Sequence, residues 1–460
     1  MTELEPLGWP LIRLALVVIA GGITPLVDTT VVTVAVHAIG ADLHVGTDAV
    51  GWVSTAYLLA LAVTVPVTAW ASDRFGAKQL WIGGLALFLA GSGLCAVAWD
   101  FSSLVAFRAL QGVGAGILLP VLQTILIRAA GPTRIGRVLT VVMLVSTIAP
   151  IAGPLVGGAI VDAGSWRWAF AINLPICAAA ILLAVGFVPR TSALAGRKLD
   201  VPGVLMLGFG TAALLYALGN AGNGWATLRV WPALVAGLAL LAAFAAWSLA
   251  RGPRAAIPVR LLAHRTFGSA TATLFLTGVA LYGALFLIPL WFQQQRGMTA
   301  LGAGAVLALQ GIGSLLTRWV GSVVDRIGAR LVTVVGVVGC AAATVPFAIA
   351  TADTSWVLLG SALIVRGGAL SAVNVAVTAG AFTGLSREEV PAGSAIVRLV
   401  QQLGGAAGTA LLATVVATSG FEAAFLSSVA LTAAALVPSL AGYSTAVRIA
   451  SAASRTPGSS

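Results

Sequence analysis

Apolar runs long enough to cross a bilayer recur from one end of this chain to the other, and no other feature of the sequence limits its fold so severely. About 20 apolar residues of helix span the roughly 30 Å hydrocarbon core, where every backbone N–H and C=O must find its partner inside the protein. Read between charge and turn signals, the runs fall at about 10–36, 49–71, 79–98, 102–128, 136–161, 168–188, 202–219, 230–250, 267–292, 300–319, 329–350, 355–380, 391–418 and 421–442, fourteen spans in all. Composition excludes a soluble alternative. Of the 460 residues 59% are hydrophobic and 8% charged, with a mean hydropathy of +1.03, whereas soluble domains are near a quarter charged. Barrel strands alternate apolar and polar residues, and these runs do not. The expected fold class is an all-α polytopic membrane protein. Its 54 glycines and 19 prolines suit membrane helices, where small residues allow close packing and neighbours satisfy freed backbone groups.

A net charge of +11 would suggest nucleic acid in a soluble protein, but here the basic residues punctuate apolar runs and read as topology. With the N-terminus cytoplasmic, the inner segments hold 19 of the 25 basic residues, the outer loops hold Arg167, Arg229 and Arg296, and Arg108, Arg366 and Arg398 fall inside spans. The positive-inside rule therefore places both termini in the cytoplasm. Cys95, Cys177 and Cys340 lie inside apolar runs without pairing or ligand spacing, so neither disulfides nor a zinc site is expected. His37, His44 and Asp42 near the first outer loop have no recognised chelate spacing, and no metal is expected. The start lacks a cleavage site and reads as a retained cytoplasmic tail. Residues 446–460 read as a disordered cytoplasmic tail.

The sequence repeats itself. Asp73-Arg74-Phe-Gly76-Ala-Lys78 after the second span returns as Asp325-Arg326-Ile-Gly328-Ala-Arg330 after the tenth, 252 residues later, and both copies lie on the cytoplasmic side. Each copy then follows the second span of a six-span half. Residues 1–190 form the first half, 191–265 carry two inserted spans with their loops, and 266–445 form the second half, an arrangement of 6 + 2 + 6 around a midplane site.

With these segments the chain resembles the major facilitator superfamily and, within it, the fourteen-span drug:proton antiporters. Asp73, Arg74, Gly76 and Lys78 resemble the superfamily's signature between the second and third spans, and Asp325, Arg326, Gly328 and Arg330 its second copy; the resemblance implies a gating latch. Arg108-Ala-Leu-Gln111 followed by Gly112, Gly114 and Gly116 resembles the family's intramembrane arginine motif. An arginine in hydrocarbon costs at least roughly 2.5–3.5 kcal/mol, so it should face the bundle interior beside a partner. Pro150, Gly153, Pro154, Gly157 and Gly158 in the fifth span resemble the motif associated with antiporters, although a kinked packing helix explains the spacing equally well. Export in preference to import rests on the resemblance. The segment from Trp166 to Pro175 also resembles the drug exporters.

Asp28 is the one acidic residue well inside a span, in a stretch resembling the exporters' first-span motif, with Thr33 where asparagine is usual. Counted along the helices at 1.5 Å per residue, Asp28 and Arg108 fall at similar depths, about 25 and 21 Å from the inner face. A buried acid that exchanges between a desolvated site and an arginine can load and release a proton, so this pair is the expected coupling site; a static ion pair is the alternative. Candidate pathway residues are Tyr57, Gln111, Gln123, Asn173, Tyr282, Gln293, Gln294, Arg366, Asn374, Arg398 and Gln401. Arg366 and Arg398 depart from the family pattern. If both face the cavity the cargo is anionic, zwitterionic or neutral; alternatively they pair with carbonyls or snorkel.

The expected function is proton-coupled export of amphipathic small molecules, as in multidrug or antibiotic efflux, by alternating access. The rivals are an importer or facilitator of a physiological solute on the same fold, and a membrane receptor without a transport cycle. No HExxH, GxSxG or phosphate-cradling motif is present, so an enzyme or direct ATP coupling is not expected. The expected partners are a small-molecule substrate, protons and the bilayer, with no cofactor and no nucleic acid, the protein acting as a monomer. Two lysines against 23 arginines point to a GC-rich bacterial source, hence to the bacterial cytoplasmic membrane.

Overall fold

The computed structural model describes residues 9–130, 149, 151–189, 199–221, 230–252, 255, 257–317, 319–351, 353–382, 385–386 and 389–442, and among these the regular secondary structure is helical throughout. In chain order the helices are α1 (Trp9–Gly22), α2 (Thr24–Asp42), α3 (Thr47–Val50), α4 (Trp52–Phe75), α5 (Ala77–Ala96), α6 (Phe101–Ala130), α7 (Ile151–Ala163), α8 (Trp168–Ala171) and α9 (Asn173–Phe187). They continue as α10 (Val201–Asn220), α11 (Trp231–Arg251), α12 (Arg265–Arg296), α13 (Ala300–Leu316), α14 (Val320–Ile327), α15 (Ala329–Ala348), α16 (Trp356–Ala381), α17 (Val390–Ala434) and α18 (Leu436–Gly442). Eleven segments are long and apolar enough to cross a membrane, with Ile151–Ala163 and Ala300–Leu316 as shorter apolar helices.

Several boundaries differ from the apolar runs. The run at 10–36 is broken at Ile23 and extends to Asp42, because Pro25 in the first turn of α2 supplies no N–H to the preceding turn. The run at 300–319 ends at Leu316, and the repeat motif sits on the separate α14. The runs at 391–418 and 421–442 meet, as expected, at a break: Gly420 (φ 82°, ψ 179°) is not helical and divides α17 into two helices. A few helix starts carry a side chain that satisfies orphan N–H groups. Before α6 the Asp100 carboxylate accepts from the Ser103 N–H at 2.7 Å, a bond that holds this carboxyl below the ordinary carboxylate range. Asp200 caps α10 in the same way, accepting from Gly203 N–H, and also binds Trp247 Nε1 at 2.9 Å, tying α11 to α10.

Helices α2, α4, α5, α6 and α9 pack together, as do α12, α13, α15, α16 and α17. At the end marked by Asp42 one apolar cluster joins both groups, with Val36, Ile39, Val53 and Phe170 against Phe286, Trp291, Phe292, Leu307 and Phe425. Toward the Asp73 end the clusters separate. One, around Trp81, Leu85, Phe88 and Leu122, comes almost entirely from α1–α9. Another joins α12, α16 and α17 to the α10–α11 pair through Phe267, Val377, Ile396, Leu207 and Phe244. Helix α10 also reaches across the groove between α4 and α17: Trp52 lies on Tyr216 with ring centroids 6.3 Å apart, and Thr414 Oγ1 donates to the Gly219 carbonyl at 3.1 Å.

Candidate functional site: a buried aspartate–arginine pair beside a cleft shared by two helix groups

Asp28 projects from the middle of α2 into a pocket of donors. Its Oδ2 lies 2.6 Å from Arg108 Nη1, and both side chains are almost wholly enclosed. The other oxygen accepts from Gln111 Nε2 and Asn173 Nδ2, each at 2.9 Å. Gln111 stands one turn beyond Arg108 on α6, so a single helix face supplies both donors. The remaining Gln111 proton goes to Ser92 Oγ at 2.7 Å, and its Oε1 accepts from Arg108. Arg108 Nε donates to the Val53 carbonyl at 3.0 Å, and the guanidinium lies over the Tyr57 ring, 4.1 Å from its centroid. Tyr57 is anchored in turn by its hydroxyl, which donates to the Pro25 carbonyl at 3.1 Å. Such completeness is what lets a charge pair persist in low dielectric, since removing one partner strands the other charge.

The pair borders a narrow cleft of about 10 Å³, lined by Thr29, Thr33, Ser54, Tyr57, Leu58 and Arg108 from one helix group and by Tyr282, Phe286 and Thr409 from the other. Asp28 itself is screened from the cleft by Arg108 and Tyr57.

The sequence expectations sort cleanly. Asp28, Arg108, Gln111 and Asn173 form one network, though Gln111 and Asn173 hold the acid and do not line the cleft. Tyr57 and Tyr282 do line it. Gln293 donates to the Val34 carbonyl at 3.1 Å and Gln294 meets His37 Nδ1 at 3.5 Å, so both bridge the helix groups at the Asp42 end instead. Asn374 Oδ1 accepts from Gln401 at 2.7 Å, and Gln123 is half-buried on α6 away from the cleft. Of its two alternatives Arg366 takes the second, pairing with acceptors on neighbouring helices and not facing the cavity. It is fully buried, its Nη1 donating to Gln310 Oε1 and its Nη2 to the Ala280 carbonyl at 2.6 Å each, and its Nε to Thr344 Oγ1 at 3.2 Å. Three acceptors take three of its five N–H groups, and full burial closes the side chain off from the cleft. Arg398 on α17 is half-buried and makes no such bonds among the described residues.

In the repeat motifs Gly76 (φ 84°, ψ 149°) and Gly328 (φ 86°, ψ 149°) have the same backbone geometry, one open to glycine alone. Lys78 Nζ donates to the Val185 carbonyl at 2.7 Å, joining the first motif to the end of α9. Arg74, Arg326 and Arg330 are exposed, and Asp73 is partly buried. The backbone of Asp325 lies in α14; its side chain is outside the described set.

Pro150 is likewise outside the described residues, but Gly153, Pro154, Gly157 and Gly158 fall on α7 or immediately beside its contacts. Gly153 and Gly157 face Thr30 and Val31 of α2, whereas Gly158 abuts Ala300 and Leu301 of α13, and the Pro154 carbonyl meets Gly304. One turn on, the Asp162 carboxylate accepts from the backbone N–H groups of Ala300 and Leu301, both at 2.9 Å, and so caps a helix of the other group. Sequence reading missed Asp162 because its partners are main-chain atoms 138 and 139 residues away. Ser92 was missed for its ordinary apolar context, and Thr29, Ser54, Phe286 and Thr409 because nothing in their spacing marks a cleft. At the other corners of this end Asp42 accepts from Arg167 at 2.7 Å and Trp166 at 2.9 Å, and Arg296 packs among Trp291, Phe292 and Trp356.

The sequence pattern of the Major Facilitator Superfamily matches residues 17–409. The chain belongs to that superfamily. Among its relatives is the "Multidrug resistance protein B homolog" of Mycobacterium tuberculosis, 35% identical over 407 residues, which cover 87% of this chain and 75% of that protein. Solved structures share the superfamily fold at low identity. A POT family transporter in complex with a thioalcohol-conjugated peptide matches with a TM-score of 0.70 at 13% identity, over 96% of each chain. A bacterial homologue of the human lysosomal transporter Spinster, inward-facing and unoccupied, matches with a TM-score of 0.66 at 13% identity, over 95% of this chain and 98% of that one. This superfamily member is a multi-pass membrane transporter and not an enzyme.

Proposed function

We propose that the protein is a proton-coupled exporter of amphipathic small molecules in the bacterial cytoplasmic membrane, of the fourteen-span drug:proton antiporter kind. Spans 1–6 and 9–14 form two halves, α10 and α11 are the inserted pair, and both termini are cytoplasmic, so the Asp42 end faces outward. The kinship with a protein named for multidrug resistance supports efflux. The observation that carries the proposal is the enclosed Asp28–Arg108 pair, set behind a cleft that both halves line.

The geometry suggests how cargo and proton compete. Arg108 is shared between the Asp28 carboxylate and the Tyr57 ring, and Tyr57 lines the cleft. A proton on Asp28 removes the counter-charge of Arg108 and frees the guanidinium to swing past Tyr57 into the space that cargo would take, so that protonation and cargo exclude each other. Gln111 and Asn173 keep the carboxyl oriented while the arginine moves. When the proton leaves, the pair reforms and the space at Tyr57 reopens to cargo. Proton and cargo thus bias one rocking equilibrium in opposite senses, which yields exchange without ATP. The proton gradient drives the cycle, a single chain suffices for it, and no cofactor or nucleic acid takes part.

The test is proton flux in sealed proteoliposomes under an imposed pH gradient, with amphiphiles added in turn. For the parent protein a transported compound should trigger proton movement. Asp28→Asn should abolish it while compound binding survives. Compounds that cross with no proton movement in either protein would sink the antiport reading and leave a facilitator.

A further inference from the structure

The geometry points to Arg398 as the recognition site for an acidic head group on the cargo, so that this transporter carries organic anions: a carboxylate or sulfonate on an apolar body. The inference rests on the export reading above and names its substrate class.

Arg398 shares a helix face with the cleft. Thr409 lines the cleft directly, and 11 residues of α-helix return to within about 20° of the same direction, about 16 Å along the axis. Gly405, between them on this face, packs against the ring of Tyr282, itself a cleft residue. Arg398 therefore lies on the wall that leads from the cleft toward the Asp73 end, the cytoplasmic end in the proposed topology. Cargo coming from the cytoplasm passes it first.

Its charge is unanswered. Arg108 is bound by an aspartate, a glutamine and a carbonyl, and Arg366 by a glutamine, a threonine and a carbonyl. Arg398, half-buried, has neither hydrogen bond nor ion pair among the described residues. The acid deep in the spans, Asp28, already accepts from three donors. Glu389, the nearest acid before it in the chain, accepts instead from the N–H and hydroxyl of Ser386. Helix α17 begins at Val390, about 12 Å below, so the guanidinium is well inside the end of its helix. A guanidinium whose donors find no partner among the described residues selects an oxyanion with which it can form two parallel charge-assisted bonds. The wall beyond it supplies Tyr282 and Phe286 for an apolar body.

The sign of the cargo fixes the electrical signature. One proton in for one monoanion out moves two positive charges inward per cycle, whereas neutral cargo moves one and cationic cargo none.

The experiment uses naphthalene compounds of one body with three heads, carboxylate, carboxamide and methylammonium, bound to the purified full chain in phosphatidylcholine nanodiscs. The carboxylate should bind tightest. Arg398→Gln should raise its Kd about tenfold while shifting the carboxamide less than about twofold, and Arg398→Lys should restore part of the loss. Equal binding of the three compounds, no carboxylate binding, or a carboxylate Kd unmoved by Arg398→Gln would overturn the assignment. So would displacement of the carboxylate by phosphatidylglycerol alone, which would give Arg398 to lipid. Binding is independent of coupling: if the carboxylate binds through Arg398 yet moves no protons, antiport fails and this site stands. If neutral cargo drives proton flux and no head-group preference exists, the reverse holds.

Discussion

Arg108 and Arg366 are both fully enclosed arginines with several acceptors, yet only Arg108 faces a carboxylate. Arg366 is held by a side-chain amide, a hydroxyl and a main-chain carbonyl from α13, α15 and α12, and so braces its helix group without a group that can take a proton. A lysine keeps the charge but presents its donors from one point and cannot reach all three acceptors. Arg366→Lys should therefore destabilise the purified protein by about 2 kcal/mol, the order of a lost charge-assisted bond, read as a lower thermal midpoint. Head-group preference should stay as in the parent. An unchanged midpoint, or a change in preference, would contradict the brace. The opposite pattern is expected at Arg398, which has no bonds to lose among the described residues and whose replacement should leave stability as it is.

At the scale of elements, the two repeat motifs impose one backbone turn twice. Gly76 and Gly328 end α4 and α14 and begin α5 and α15 with φ near 85° and ψ of 149°. No Cβ-bearing residue occupies that region without strain, on the order of 1–3 kcal/mol. Nothing lies within 4 Å of a Cβ built on Gly328, so Gly328→Ala tests the backbone alone. It should lower stability by that amount, measured by chemical or thermal unfolding, with the same sign at Gly76. A neutral result would mean the turn relaxes and that the repeated glycine serves some other need. The motif's charged residues could be read from sequence, and so could the turn, because a glycine between two helices has few other uses.

For the whole molecule, the decisive contacts lie where α7 meets α13 at the Asp42 end. Gly158 leaves no room for a side chain against the backbone of Leu301, and Asp162 caps α13 across the seam between the helix groups. Gly158→Leu should hold this end apart. Spin labels at Ala163 and Gln295, both exposed, should then move apart by several ångström relative to the parent protein, and an unchanged distance distribution would show that the seam does not gate. Cys95, Cys177 and Cys340 are buried and leave labelling clean.

Much of this protein could be read without coordinates, since the bilayer permits few solutions: long apolar runs require helices, the loop charges and the repeat organise them, and a lone intramembrane acid at the depth of an arginine requires a partner. Asp28 and Arg108 were legible for that reason. What the sequence left open was direction around each helix axis. In a soluble helix a polar stripe marks the outer face, but a membrane helix is apolar toward lipid and toward its neighbours, so its periodicity does not say which residues face the cavity. In sequence Arg366, near the midplane, was the better cavity candidate of the two arginines, and only packing sent it into a cage of acceptors and left Arg398 on the wall below the cleft. The Asp162 cap and the cleft itself belong to tertiary structure for a related reason: both join helices far apart in the chain, through main-chain groups and ordinary threonines that carry no local signal.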